Sequence, residues 1–316
     1  MNLAAWLGLG TAFHALVWQC AEAKLQDWGE VALAFLTGKP ANQITQTDAQ
    51  GIPVQLYRKH GRQYNPLFVA NQAKADFQRP QHRERFIQLT GWLLQEAELR
   101  DGALLLPYRF ALPELGLEPP WHSCLAQATT LLCFAQRSTL EKRDFWLQKC
   151  RQLLHSLEPG NGLAISLPEG GTWFPEYPDT SKAYVLNGML SILLYLEECW
   201  RLTGLDQAQT LFQKGFAALV DKLPQFDCRG FSYYSLDGSK AGRNYHQMHV
   251  RLLRKLRRVQ PHPVLDKYLC RWALYDWIPV AGQLFFYPRP KRVAAYIGSL
   301  VAVLALVSLL KAAVFQ

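Results

Sequence analysis

Three loop segments gather side chains that can give or take protons. Trp173-Phe174-Pro175-Glu176-Tyr177-Pro178 precedes a helical stretch carrying Asn187-Gly188. Phe231 to Leu236 contains Tyr233 and Tyr234, and Arg243-Asn244-Tyr245-His246 leads on to His249. Packing alone asks for no such order of Tyr, His and acid on turns, although any single loop tyrosine can equally be a packing ring. A phenol with an ordinary pKa near 10 is a proton donor at neutral pH and becomes a base only beside cations. Arg243, His246 and His249 are close to Tyr245 in sequence and suit that purpose. His246 and His249, at i and i+3, also match two ligands of a metal site, but no third ligand stands at a suitable spacing, so hydrogen-bonding roles fit better. No metal and no cofactor is expected.

The surrounding pattern says what holds these loops. Helical periodicity predicts helices over roughly 66–78, 81–99, 122–137, 140–157, 181–203, 205–222, 244–259 and 263–277. Pro and Gly fall between them, as in Pro159-Gly160-Asn161-Gly162 and Gly170-Gly171. Only Ala103 to Pro120 alternates enough to form a short β-hairpin. The expected architecture is all-α: one domain over 25–288, built of helical hairpins around an axis, with loops at one end forming the site. Recurring β-branched strands and a Gly-x-Gly-x-x-Gly turn are both missing, which excludes a TIM barrel and a Rossmann fold. Asn187-Gly188, on a helix, reads as a close-packing position with a polar contact to a loop.

Composition narrows the partners. The 316 residues are 49% hydrophobic, with ten Trp and thirteen Tyr, more rings than packing usually asks for; such rings often line carbohydrate sites. A net charge of +9 points to a polyanion: nucleic acid, anionic lipid or acidic polysaccharide. The densest basic run, Arg251-Leu-Leu-Arg254-Lys255-Leu-Arg257-Arg258, reads as an amphipathic helix with a solvated basic side, or as a docking face for an anionic polymer or lipid headgroups. Seven widely spaced cysteines without a Cys-x-x-Cys pair read as free thiols of a reducing compartment. Val293 to Leu310 is uncharged and about long enough to span a bilayer. Arg289, Lys291 and Arg292 before it place its cytoplasmic flank. The expectation is a single C-terminal anchor over 293–315 with the main domain in the cytoplasm. Residues 1–24 form an apolar helix that reads as membrane-associated or spanning, as a buried helix, or as a signal cleaved near Ala21-Glu22-Ala23.

Taken in collinear order, residues from about 60 to 275 resemble the C-terminal domain of the D-glucuronyl C5-epimerases, which convert glucuronate to iduronate in heparan sulfate precursors. The likeness is carried by Glu176-Tyr177-Pro178, Val185-Leu186-Asn187-Gly188, Leu223-Pro224-Gln-Phe-Asp227, Tyr234-Ser235-Leu236 and Tyr245-His246-Gln-Met-His249. Upstream, Asn65-Pro66 and Pro120-Trp121-His122-Ser123 are similar to further family segments. The resemblance implies an incomplete (α/α) toroid. It also implies catalytic roles for Tyr177, Tyr234, Tyr245 and Glu176, and substrate contacts from Arg243, His246, His249, Asn187, Trp121 and Asn65.

One departure bears on the chemistry. Asp237 stands where the family carries an Arg that would clamp the sugar carboxylate, and Ser235 replaces the adjacent Asp. Lys240 or Arg243 would have to take that place. The resemblance therefore implies a membrane-anchored epimerase of glucuronate residues in an acidic polysaccharide or lipid-linked glycan, working beside other glycan-synthesis membrane proteins and not on nucleic acid. Two alternatives stay open: a uronate lyase on the same frame, and a non-catalytic glycan-binding subunit of a membrane polysaccharide-synthesis complex.

Overall fold

The Asp101-Gly102 pair reverses the chain with both residues at positive φ (49° and 81°), the geometry a two-residue hairpin turn needs. It joins β4 (Glu98–Arg100) to β5 (Ala103–Leu105), in register from Arg100 opposite Ala103 to Glu98 opposite Leu105. The helix expected to run to residue 99 therefore stops at Glu96, because the turn pulls the last residues into a strand. The computed structural model describes residues 46–277, apart from 58–60, 161–162, 179 and 181–182, together with 297, 298, 301 and 305.

Before this hairpin lie three short antiparallel strands, β1 (Gln46–Thr47), β2 (Pro53–Tyr57) and β3 (Gly61–Gln63), then α1 (Pro66–Phe77) and α2 (Arg83–Glu96). After it come α3 (Cys124–Ser138), α4 (Arg143–Ser156), the pair β6 (Ile165–Ser166) and β7 (Thr172–Trp173), then α5 (Leu186–Thr203) and α6 (Asp206–Lys222). The pair β8 (Asp227–Cys228) and β9 (Phe231–Ser232), α7 (Arg243–Val259) and α8 (Pro263–Trp277) complete the unit. The protein is thus mostly helical with small sheets, where the sequence pattern suggested helices and a single hairpin.

Alternate helices form an inner row. α1 packs on α3, α3 on α5 and α5 on α7, while α2, α4 and α6 each pack on the helix preceding them. α3 shows why: CLAQATTLLCFAQRS is mostly apolar or small, and all fifteen residues are buried. Among its buried polar side chains, Gln127 is satisfied by the backbone it pins and by Ser156. Gln127 accepts from Leu106 N–H at 2.8 Å and donates to Leu104 C=O and to Ser156 Oγ, both at 2.7 Å. This fixes the strand leading to Tyr108.

Residues Gln46–Asp276 make one unit, so the domain expected over 25–288 is described from Gln46 onward. The apolar N-terminal segment 1–24 lies outside the described residues. So does the expected anchor 293–315, except at Ile297, Gly298, Val301 and Ala305. Among the described residues no helix is long and apolar enough to cross a membrane. Of the cysteines, Cys124, Cys133, Cys150 and Cys199 are buried, Cys228 is half-buried and Cys270 exposed, and all six are free thiols.

Candidate functional site

Helix N-termini leave backbone N–H groups without intrahelical partners. At α3 and α5 the residues before the helix, Ser123 and Val185, give no side-chain cap. Loop carbonyls fill the role instead. Cys124 N–H donates to Pro175 C=O at 3.2 Å, and Leu186 N–H donates to Tyr234 C=O at 3.0 Å. The segments that close these helices are therefore the ones that carry Glu176 and Tyr234. Val185 also bridges Ser235 in antiparallel fashion, which holds Val185 extended, so α5 starts at Leu186 rather than 181.

Glu176 is buried, and its Oε2 has no hydrogen-bond partner. Loss of solvent raises its pKa from 4.5 to about 7, opposed by an interaction with the Tyr177 hydroxyl. A carboxyl so tuned exchanges its proton near neutral pH, as a general acid or base requires. Room for it comes from Gly188, in the first turn of α5. A Cβ there would stand 2.9 Å from Glu176 Oε2 and 3.5 Å from Glu176 Cβ. Gly188→Ala is accordingly expected to turn the carboxyl aside and lower turnover about tenfold or more, with circular dichroism unchanged; steady-state kinetics on the folded variant checks it.

Four tyrosines lie near enough to this carboxyl to feel its charge. The negative charge of Glu176 raises the pKa of Tyr177, Tyr234 and Tyr245, and contributes at Tyr108, in each case after burial as a larger cause. Tyr177 interacts with both Glu176 and Tyr234. The Tyr234 and Tyr245 rings meet edge to face, centroids 4.9 Å apart, and Tyr245 is 43% exposed. On the other side Trp121 lies 6.3 Å from Tyr177 and stacks on Tyr108 at 3.8 Å, donating its indole N–H to Phe110 C=O. The result is an aromatic row, from buried Tyr108 to open Tyr245, running past one buried acid.

The remaining sequence candidates fall into three positions. Asn65 is the N-cap of α1: Oδ1 accepts from Leu67 and Phe68 N–H, and Nδ2 donates to Gln55 Oε1 and Tyr57 Oη. All its capacity is spent behind Tyr57, so it positions a ring. His246 and His249 are fully buried. Ser232 N–H donates to His246 Nδ1 at 3.1 Å, Ser232 Oγ lies 2.7 Å from His249 Nδ1, and His246 Nε2 donates to Trp272 C=O at 3.2 Å. They fasten β9, and hence Tyr234, to α7. Burial followed by the neighbouring His246 lowers the pKa of His249 to about 3, which keeps it neutral. Asn187 is buried beside Gly188, its Oδ1 without a partner.

Asp237 is exposed, and its carboxylate accepts from Ser239 N–H and Oγ–H, both at 2.9 Å. It closes the turn after Tyr234, and its charge adds a small upward push to that phenol. Lys240 is exposed and its backbone bridges Tyr233. Arg243 is the first residue of α7, and its side chain lies outside the described residues. Tyr108 and Tyr57 are members of the cluster that sequence reasoning passed over. The signal was there in Tyr108 and Trp121, which pair across the expected hairpin. A cavity of about 490 Å³ between the β6–β7 hairpin and α6, lined among others by Ser166, Thr172, Gln207 and Lys214, shares no residue with this cluster.

The family model for the D-glucuronyl C5-epimerase C-terminus matches residues 101–274, more than half of the chain. This chain belongs to that D-glucuronyl C5-epimerase family. The family is that of a carbohydrate epimerase, and the match takes in Trp121, Glu176, Tyr177, Tyr234 and Tyr245 while leaving Tyr57 and Asn65 outside. Among similar proteins, an uncharacterized protein of Methanocaldococcus jannaschii is 25% identical over 240 residues, 67% of this chain and 77% of its own length. The D-glucuronyl C5-epimerase of Caenorhabditis elegans is 26% identical over 221 residues, 63% of this chain. The match spans only 36% of that worm protein. A solved structure of a GH76 alpha-mannanase from Bacteroides thetaiotaomicron overlays on 84% of this chain and 73% of its own, with a TM-score of 0.49 and 8% identity.

Proposed function

We propose that this protein is a C5-epimerase of glucuronate residues in a polysaccharide or lipid-linked glycan, on a frame that is an incomplete (α/α) toroid. The observation that carries the reading is the buried carboxyl of Glu176 beside Tyr177, in an aromatic row that runs from Tyr108 and Trp121 through Tyr177 to Tyr234 and Tyr245. Inversion at C5 breaks the C5–H bond, leaves its electron pair delocalised into the sugar carboxylate, and forms a new C5–H bond from the opposite face. Glu176, with a pKa of about 7, is ionised in a large fraction of molecules at neutral pH and takes the proton. The phenols, pushed above their usual range, stay protonated and supply the donor: Tyr245 returns a proton to C5, and Tyr177, in contact with Glu176 and Tyr234, carries the abstracted proton back along the row. The same phenolic O–H groups stabilise the negative charge that builds on the sugar carboxylate.

The decisive measurement is solvent deuterium uptake at C5 of a glucuronate-containing polymer. Uptake with inverted product and intact chains is expected. Chain cleavage that leaves a C4=C5 double bond, and so no hydrogen at C5 of the cleaved residue, would make the protein a lyase, and polymer binding with neither uptake nor cleavage would make it a binding subunit. The uncharged stretch 293–310 and its basic flank support the further proposal that the protein is held at a membrane with its domain in the cytoplasm. Truncation after Pro288 is expected to move it to the soluble fraction, and retention on membranes would instead make residues 1–24 the holding segment.

A further inference from the structure

The cationic half of α7 has no task in the site just described. Val250, Leu253 and Leu256 are buried, which turns Arg251, Arg254, Lys255 and Arg258 outward, and all four are exposed. At 3.6 residues per turn these four fall within an arc of about 100°, directly opposite His246, His249 and the buried leucines. Exposed Asn244 and half-buried Gln247 lie on the same arc, so the polar stripe begins next to Tyr245. The stripe runs roughly 9 Å to Arg251 and about 20 Å to Arg258 at the helical rise. Arg257, off the arc, pairs with Asp266. None of the four has an ion pair among the described residues, whereas Arg109, Arg137, Arg201 and Arg271 each hold a carboxylate.

The helix dipole favours cations in the last turn, which accounts for Arg258 and not for Lys255. It does not account for Arg251 and Arg254. Like charges at i,i+3 and i,i+4 repel, and the four residues form four such pairs. A face of this kind opposes its own helix unless a polyanion lies on it.

We propose that this stripe is a second binding surface for the acidic glycan, which leaves the tyrosine row at Tyr245 and runs along α7 with its carboxylates on Arg251, Arg254, Lys255 and Arg258. This rests on the epimerase reading for the identity of the polymer. It adds that affinity and chain-length preference come from a site outside the chemistry. A carboxylate chain is favoured over a lipid headgroup because the stripe is continuous with an exposed residue of the candidate site.

The test uses the full-length protein, in detergent where it sediments with membranes, and an unsulfated glucuronate–N-acetylglucosamine polymer. Binding is measured against ionic strength. The variant Arg251→Gln/Arg254→Gln/Lys255→Gln/Arg258→Gln is expected to bind about tenfold or more weakly at about 50 mM salt, with a flatter salt dependence. Its KM should rise on long chains, with little change on an oligosaccharide that fills only the tyrosine row. Arg251→Lys/Arg254→Lys/Arg258→Lys should bind like the parent. If the fourfold variant does not fold, Arg251→Gln/Arg254→Gln decides with a smaller shift of the same sign. Unchanged affinity in the glutamine variants overturns the inference, as does recruitment to phosphatidylserine vesicles in place of the polymer. Polymer binding lost in the glutamine variant, with no deuterium uptake in the parent, sinks the epimerase reading alone; deuterium uptake with an unshifted KM sinks this inference alone.

Discussion

Glu176→Gln should lower turnover by about 10²–10⁴, the usual contribution of a general acid or base, while the protein stays folded. Glutamine keeps the shape beside Gly188 and removes the proton exchange. The pH dependence assigns the role. With Glu176 as the base, kcat/KM of the parent should rise with pH through about 7 and then level. No alkaline fall is expected below pH 10, because burial and the charge of Glu176 hold the neighbouring phenols above their usual range. A rate that falls as pH rises through 7 would make Glu176 the acid and reverse the direction of the proposed transfer.

The same carboxyl has a cost visible without substrate. Its folded pKa of about 7 exceeds the unfolded value of 4.5, so between these limits the folded state binds the extra proton. Stability contributed by this group is fully present below about pH 4.5 and is lost as pH rises through 7, roughly 3 kcal/mol in all. His249 works the other way. Its folded value of about 3 lies below the ordinary value of 6.5, so it weakens the fold as pH falls from 6.5 toward 3. Comparing the pH dependence of denaturant midpoints between parent and Glu176→Gln cancels His249 and leaves Glu176. The difference should appear between pH 4.5 and 7. A parallel pair of curves would mean that the carboxyl is solvated and ordinary, and Glu176 would not be tuned as the base.

How much of this was legible beforehand depends on the range of the interaction. Helix positions were, because apolar spacing reports burial one helix at a time: the expected 66–78, 205–222 and 263–277 became Pro66–Phe77, Asp206–Lys222 and Pro263–Trp277. Boundaries failed where the chain was claimed by a distant partner. Residues 183–185 read as helix until Ser235 and Leu236 bind Val185 and Tyr184. The strands β1 to β3 are short and pair only locally, too little periodicity to register in the sequence. In the site, order along the chain marked Glu176, Tyr177, Tyr234 and Tyr245 together. It gave no means of separating a residue that faces the row from one that braces it. His246, His249 and Asn65 carry the same chemistry on paper, and only the partners of their ring and amide nitrogens show them fastening β9 and Tyr57.

Tyr177→Phe is expected to cost about a hundredfold or more in epimerisation with the fold intact, since the ring that packs near Trp121 remains and only the hydroxyl is lost. That hydroxyl contacts both Glu176 and Tyr234, so the defect should be specific in kind. Glu176 still takes the C5 proton. What fails is its delivery to the far end of the row, where Tyr245 must donate from the other face. Tyr177→Phe should therefore exchange C5 hydrogen with solvent deuterium faster than it inverts the centre, whereas Tyr245→Phe, lacking the donor itself, should exchange with retention and barely invert. Comparing label uptake with product configuration in the two variants separates relay from donor. Near-normal inversion in both would remove the tyrosines from the chemistry. An equal loss of exchange and inversion in Tyr177→Phe would place its hydroxyl at the abstraction step, as the group that orients the Glu176 carboxylate toward C5.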